Sequence, residues 1–443
     1  STAGAFKATT EFGEISLGLW TADADRNGNG VINLATELGH TGDITLTSKA
    51  GDIELDLNTS VSALLAAKNT VEGLTFGDVT VTTGDSYDNG KGEDIASNDF
   101  TDGVLRGYLA GEVSAKDADI RAATGSISIT GGGENKTNNF ALFDGTTNGI
   151  TGNRGTVGDI TATVTRGTVG LYGTFNNVGD MALTANTYKD ARLDSKDAAY
   201  TNAFAGSIEF GSYQEDQLSN FNGSEGEFSG GSFLDGALTF TGRSGTATLT
   251  TYVDEQTDSA NQAGSIGKSD GSESGTITGN VHYMGDSRNA KAIVATTGSS
   301  NITLDVTASW FDINGDGKVT DVNNQTVQGV ASNEFAKVGS IELTSALKSG
   351  ASVLKGTEPG TITLGLAVGT ADSSVVGSEI GAIAAKTYTA VTSAEAEKND
   401  VLSNGNVTII GKSPMPLTAG TVGDITADLG DTGSGNVTVK GNF

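Results

Sequence analysis

Two stretches of this chain space their oxygen-bearing side chains as a wrapping around a hard cation would require. One reads Asp25-Arg26-Asn27-Gly28-Asn29-Gly30-Val31-Ile32-Asn33, the other Asp312-Ile313-Asn314-Gly315-Asp316-Gly317-Lys318-Val319-Thr320. In each, side-chain oxygens fall on the first, third, fifth and ninth positions, and Val31 or Lys318 offers a backbone carbonyl at the seventh. Glycine holds the sixth, where the chain must turn sharply. Calcium takes about six to eight oxygens, and a loop of about twelve residues delivers them at this spacing. The apolar residue at the eighth position, Ile32 or Val319, packs the loop onto its base. The twelfth position, where a bidentate carboxylate is usual, is Thr36 in the first loop and Asn323 in the second. Glu37 lies one step beyond Thr36, with Asp23 as a further carboxylate, and Asp321 stands two before Asn323. The candidate ligands are therefore Asp25, Asn27, Asn29, Val31, Asn33 and Glu37, and Asp312, Asn314, Asp316, Lys318, Thr320 and Asn323. The first loop has more asparagine and less charge, so it binds more weakly.

What precedes each loop is also duplicated. Ile15, Leu17 and Leu19 match Ile302, Leu304 and Val306 at the same offset of 287 that relates Asp25 to Asp312. The only two tryptophans, Trp20 and Trp310, both lie between strand and loop. The loops resemble the calcium loops of dockerins and other extracellular EF-hand-like repeats. That resemblance covers about a dozen residues per copy. It stops at the flanks, where an alternating strand stands in place of a helix, so docking of the dockerin kind is not implied.

The elements that position these loops are strands. A Gly, a small or acidic residue, Ile or Val, then Thr, Ser or Glu recur along the chain. Examples are Gly42-Asp43-Ile44-Thr45, Gly77-Asp78-Val79-Thr80, Gly158-Asp159-Ile160-Thr161, Gly360-Thr361-Ile362-Thr363 and Gly423-Asp424-Ile425-Thr426. Each opens a run of period-two alternation, the mark of a strand. The glycines are expected to supply a positive φ at the turn. Copies often lie about 20–30 residues apart, the length of one turn of a solenoid. The expected fold is all-β, a β-solenoid or β-helix-like body, with tandem β-sandwich modules as the alternative. The irregular spacing predicts no strict register between copies. Polar stretches at Tyr87–Phe100, Gly131–Gly152 and Tyr188–Tyr200 read as loops outside the stack. Short helices are expected over Ser60–Val71 and Ser393–Leu402, with one helical turn over Ser332–Val338. The duplication suggests units at 1–290 and 291–443, or one continuous body.

Composition narrows the partners. Lys and Arg number 26 against 54 Asp and Glu, a formal charge of −28, which argues against nucleic acid and anionic membranes. There is no cysteine, so no disulfide or thiolate chemistry. No apolar run is long enough for a spanning helix, and no membrane insertion is expected. The start at Ser1-Thr2-Ala3 fits a mature form whose signal peptide has been removed, hence an extracellular or cell-surface location. His40 and His282 are the only histidines, and neither stands in a zinc pattern. His40 is expected to cap a turn, and His282 to alternate within a strand. Neither a nucleophile elbow nor a phosphate loop is present. No enzyme activity is expected. Sequons at Asn58, Asn135, Asn222, Asn301, Asn324, Asn406 and Asn436 have meaning only in a glycosylating secretory context.

The acidic, cysteine-free chain, rich in Gly, Thr and Asn, is similar to prokaryotic surface-layer, filament and adhesin proteins. That resemblance is compositional. It implies a secreted structural protein that self-assembles into a surface layer or extracellular filament stabilised by calcium. Its partners would be copies of itself and, further, cell-surface polysaccharide. An adhesin or carbohydrate-binding protein is the alternative, and a β-helix polysaccharide-degrading enzyme comes third.

Overall fold

The computed structural model describes residues 2–11, 15–22, 32–33, 40–48, 53–61, 71–72, 76–83, 104–113, 123–131, 139–143, 156–164, 168–175, 178–185, 207–211, 237–240, 244–251, 276–283, 287, 289–297, 300–308, 336–347, 360–368, 378–389, 405–412, 420–430 and 435–442. Every regular element among them is a strand. The described residues wind as a parallel β-solenoid of eleven coils. In chain order a coil gives one strand to a first long sheet and the next to a second long sheet. The first sheet runs from Phe6–Thr10 through Ile44–Ser48 and Val79–Thr83 to Ile425–Asp428. The second runs from Ile15–Ala22 through Ile53–Val61 to Val437–Asn442. A short third face precedes the first-sheet strand, seen as Lys337–Val338, Glu379–Ile380 and Thr421–Val422 side by side. Parallel pairing throughout excludes the sandwich alternative, whose sheets are antiparallel.

Alternation places one apolar set inside. In the first sheet Ile44 pairs with Val79, Val79 with Ile127, and Ile127 with Ile160, all buried. In the second, Ile302, Leu304 and Val306 stand beside Ile362, Leu364 and Leu366, and all are buried. The register carries from coil to coil with one shift, between Lys291 and Ile293, contrary to the expectation from spacing. The length of chain between successive strands varies without changing which strands pair. One expected insertion is partly wrong: Asn139–Phe143, inside Gly131–Gly152, is a strand of the second sheet. Tyr87–Phe100 and Tyr188–Tyr200 lie outside the described residues.

The helix expectations fare differently. Ser60 and Val61 end a strand, and Val71 begins another, while the residues between are outside the described set. Lys337 and Val338 are a short strand and not the end of a helical turn. Ser393–Leu402 is outside the described residues. Both long sheets cross residues 250–300 in register, with Ala247 beside Ile293 and Ile277 beside Ile302.

The outer face of the first sheet carries a column of threonines. Thr9, Thr47, Thr82, Thr130, Thr163, Thr184, Thr250, Thr296 and Thr344 are successive register partners. A β-branched hydroxyl residue suits such a half-solvated pleat, and stacked threonines support one another across strands. Where the first-sheet strand ends, inward positions turn polar. Thr297 and Ser345 both donate to the Ser300 carbonyl, at 2.8 and 2.9 Å, and Thr387 donates to the Gly405 carbonyl at 2.8 Å.

Candidate functional site

The strands that precede the two loops hold equivalent places in the solenoid. Ile15–Ala22 is the second-sheet strand of the first coil, and Ile302–Ala308 is that of the eighth. The described strand that leads into the next coil is His40–Thr41 after the first and Lys337–Val338 after the second. Seven coil spacings of about 4.8 Å separate them, roughly 34 Å along the axis. The anchors differ in burial. Ile302, Leu304 and Val306 are sealed in the core, while Ile15, Leu17 and Leu19 on the end coil are only partly covered.

Of the candidate ligands, only Asn33 is described. It lies in the short strand Ile32–Asn33, paired with Val71–Glu72. Asp25, Asn27, Asn29, Val31, Glu37, Asp312, Asn314, Asp316, Lys318, Thr320 and Asn323 lie outside the described residues, as does Trp310. Among the described residues no three His, Cys, Asp or Glu side chains converge as a metal site would need. His40 stands in a strand beside Thr2, and so does not cap a turn. His282 alternates within Ile277–Tyr283.

The described carboxylates have a structural task. At the corner before the first sheet, Asp43 Oδ1 accepts the Asp78 amide at 3.0 Å, and Asp78 Oδ1 accepts the Ser126 amide at 2.8 Å. Asp159 and Asp180 repeat this towards the amides of Asp180 and Thr246, each at 2.9 Å. Asn289 closes the series, its Nδ2 donating to Asp180 Oδ1 at 2.7 Å and to Thr246 Oγ1 at 2.9 Å. An ionised acceptor on a backbone N–H is a strong hydrogen bond. The corner before the second sheet uses asparagine in the same way. Asn301 Oδ1 accepts the Thr361 amide at 2.7 Å, and Asn406 Oδ1 accepts the Asn436 amide at 2.9 Å. Sequence reading missed these roles, although the recurring Gly-Asp-Ile and Gly-Asn-Val triplets were their signal. Two expected sequons, Asn301 and Asn406, thus have their side-chain oxygens engaged in the stack.

The corner glycines are required for a different reason from the one expected. Among the described residues, positive φ occurs at Gly173, Gly279, Gly430 and Gly441, none of which opens a repeat. At Gly77 a Cβ would lie 2.7 Å from backbone atoms of Gly42 and Asp43 in the coil before. Glycine is there because the neighbouring backbone is too close for a side chain. Gly365 plays a related part on the outer face. It stands beside Asp305, and its bare surface lets Lys412 Nζ reach over it to both Asp305 carboxylate oxygens at 2.6 Å. Both side chains are well exposed, so the pair contributes under about 1 kcal/mol.

Inside the core, Phe175, Phe240 and Tyr283 are successive register partners. Phe240 and Tyr283 ring centroids are 5.3 Å apart. Among the described residues the buried Tyr283 hydroxyl has no hydrogen-bond partner, nor have those of Ser244 and Ser378. Burial pushes the Tyr283 phenol well above its ordinary value.

Fold and corners define the class as a parallel β-solenoid with polar corner ladders. No family model, no curated protein and no solved structure matches the chain.

Proposed function

We propose that this chain is a secreted structural protein that assembles with copies of itself into a surface layer or extracellular filament. Calcium in the Asp25–Glu37 and Asp312–Asn323 loops orders the corners from which they leave and offsets the charge of −28 between packed copies. One observation carries this reading. The exposed large apolar side chains of the described residues, Phe6, Val437 and Val439, all belong to the first or last coil of the stack. Strand edges with exposed apolar residues are templates for pairing with another chain. A repeated contact that does not close into a ring gives an open fibre or lattice.

Negative-stain microscopy of the chain with calcium and with chelator tests this. Ordered polymers that dissolve in chelator are the expected result. Polymers indifferent to chelator would remove calcium from the reading. A monomer at every concentration, with measurable affinity for a cell-surface glycan, would replace assembly with adhesion.

A further inference from the structure

We propose that the last coil of one copy stacks on the first coil of the next in the same register that joins coils within the chain. This rests on the self-assembly reading above and specifies its contact. At internal junctions of the first sheet, a strand's first apolar residue donates its amide to the corner carbonyl of the following coil. Ile341 donates to Ala382 and Ile383 to Asp424, at 2.9 and 2.8 Å. Continued by one step, the Ile425 amide meets the Ala5 carbonyl of the next copy. The Asp corner continues with it. Asp424 holds the ladder position in the Gly-Asp-Ile triplet, and the facing Ala5 amide follows Gly4 as the Asp78 amide follows Gly77. A Cβ on Gly4 would meet nothing within 4 Å, so the position that is crowded at inner corners is open here.

The side chains agree with this register. Ile425 and Ala427, half-buried at the end of their columns, face Phe6 and Ala8. Val437 and Val439, 47 and 49 % exposed, face Ile15 and Leu17, which are themselves only partly covered. In the middle of the stack the same columns are sealed. Charge also fits. Lys7 on the outer face stands opposite Thr426, whose outward neighbours on that strand are Asp424 and Asp428. A lysine reaching diagonally to an aspartate on another coil is already present in this fold, from Lys412 to Asp305.

The chain has no cysteine, so introduced ones report the contact directly. Register partners in a parallel sheet lie about 4.8 Å apart, within disulfide reach. A Lys7→Cys/Thr426→Cys chain should therefore oxidise to a ladder of covalent multimers. A Lys7→Cys/Asp428→Cys chain, displaced by two residues to roughly 8 Å, should not. An equimolar mixture of the two single variants should stop at the dimer. Thr426→Lys, which sets a like charge opposite Lys7 without touching the core, should weaken association roughly tenfold or more. Circular dichroism of each variant confirms that it keeps its strands. Polymers that form without the ladder, a ladder from the displaced pair, or disulfide dimers from either single variant alone would each overturn this register and leave self-assembly standing. A wild-type chain that never associates would overturn both.

Discussion

In Tyr283 chemistry and packing disagree. Its ring fills the column beside Phe240, but its oxygen has left water and finds no acceptor among the described residues. Such a group costs about 1–3 kcal/mol, so Tyr283→Phe should leave stability unchanged or raise it by about 1 kcal/mol. The pH dependence has a definite sign. Burial favours the neutral phenol, so its pKa in the folded chain is above the unfolded value of about 10. The stabilisation is complete below pH ~10 and is lost as pH rises further, because only the unfolded chain then gains from ionising. Urea melts at neutral and strongly alkaline pH should therefore show a smaller alkaline loss in Tyr283→Phe than in the wild type. Equal losses would mean that the phenol does not feel this burial. The corner aspartates are the opposite case. Asp43, Asp78, Asp159 and Asp180 stay at the surface and satisfy amides that no strand pairs, so the acidic composition serves the backbone directly.

At the scale of the element, the glycine corner decides whether coils can approach. Gly77→Ala would drive a Cβ into the backbone of Gly42 and Asp43, which unlike a side-chain tip has nowhere to move. Overpacking of this kind costs about 1–3 kcal/mol. Thermal melts should show that loss, whereas Gly4→Ala, at an open corner, should change little in the same monomeric chain. Equal effects at both sites would show that the crowding is not what holds Gly77. This corner also marks how far the sequence could be read. The Gly-x-Ile triplet identified strand starts correctly because period-two alternation follows it directly. It could not reveal that two kinds of corner share it, Gly42, Gly77 and Gly158 leading into the first sheet and Gly360 and Gly435 into the second. That distinction needs the third dimension, as does the reason for glycine. The irregular spacing hid the register because strands pair in place whatever the length of chain between them. Asn139–Phe143 was lost among polar neighbours because no Gly-x-Ile triplet opens it. The metal loops were legible as ligand spacing alone. The structure adds the equivalent second-sheet strands that precede them, and Asn33 in a strand beside Glu72.

At the scale of the whole molecule, the described strands form stacked coils in which each contacts its neighbours, so their stability is a sum of local terms along one axis. A net charge of −28 acts on the whole chain, and any salt relieves part of it by screening. The proposed calcium loops act at two points, the first and eighth coils. The two effects separate when calcium chloride and sodium chloride are compared at equal ionic strength. Calcium at about a hundred times its dissociation constant adds roughly 2.7 kcal/mol per site. For a chain of this length that is roughly 3 °C in melting temperature. Calcium should therefore raise the melting temperature beyond sodium by about 3 °C for each loop held at that saturation. Asp312→Ala should remove most of the excess, because the second loop has the fuller carboxylate set. Asp25→Ala should remove less. Equal melting temperatures in the two salts would reduce calcium to a counter-ion, and the loops to surface turns on a solenoid held by its corners.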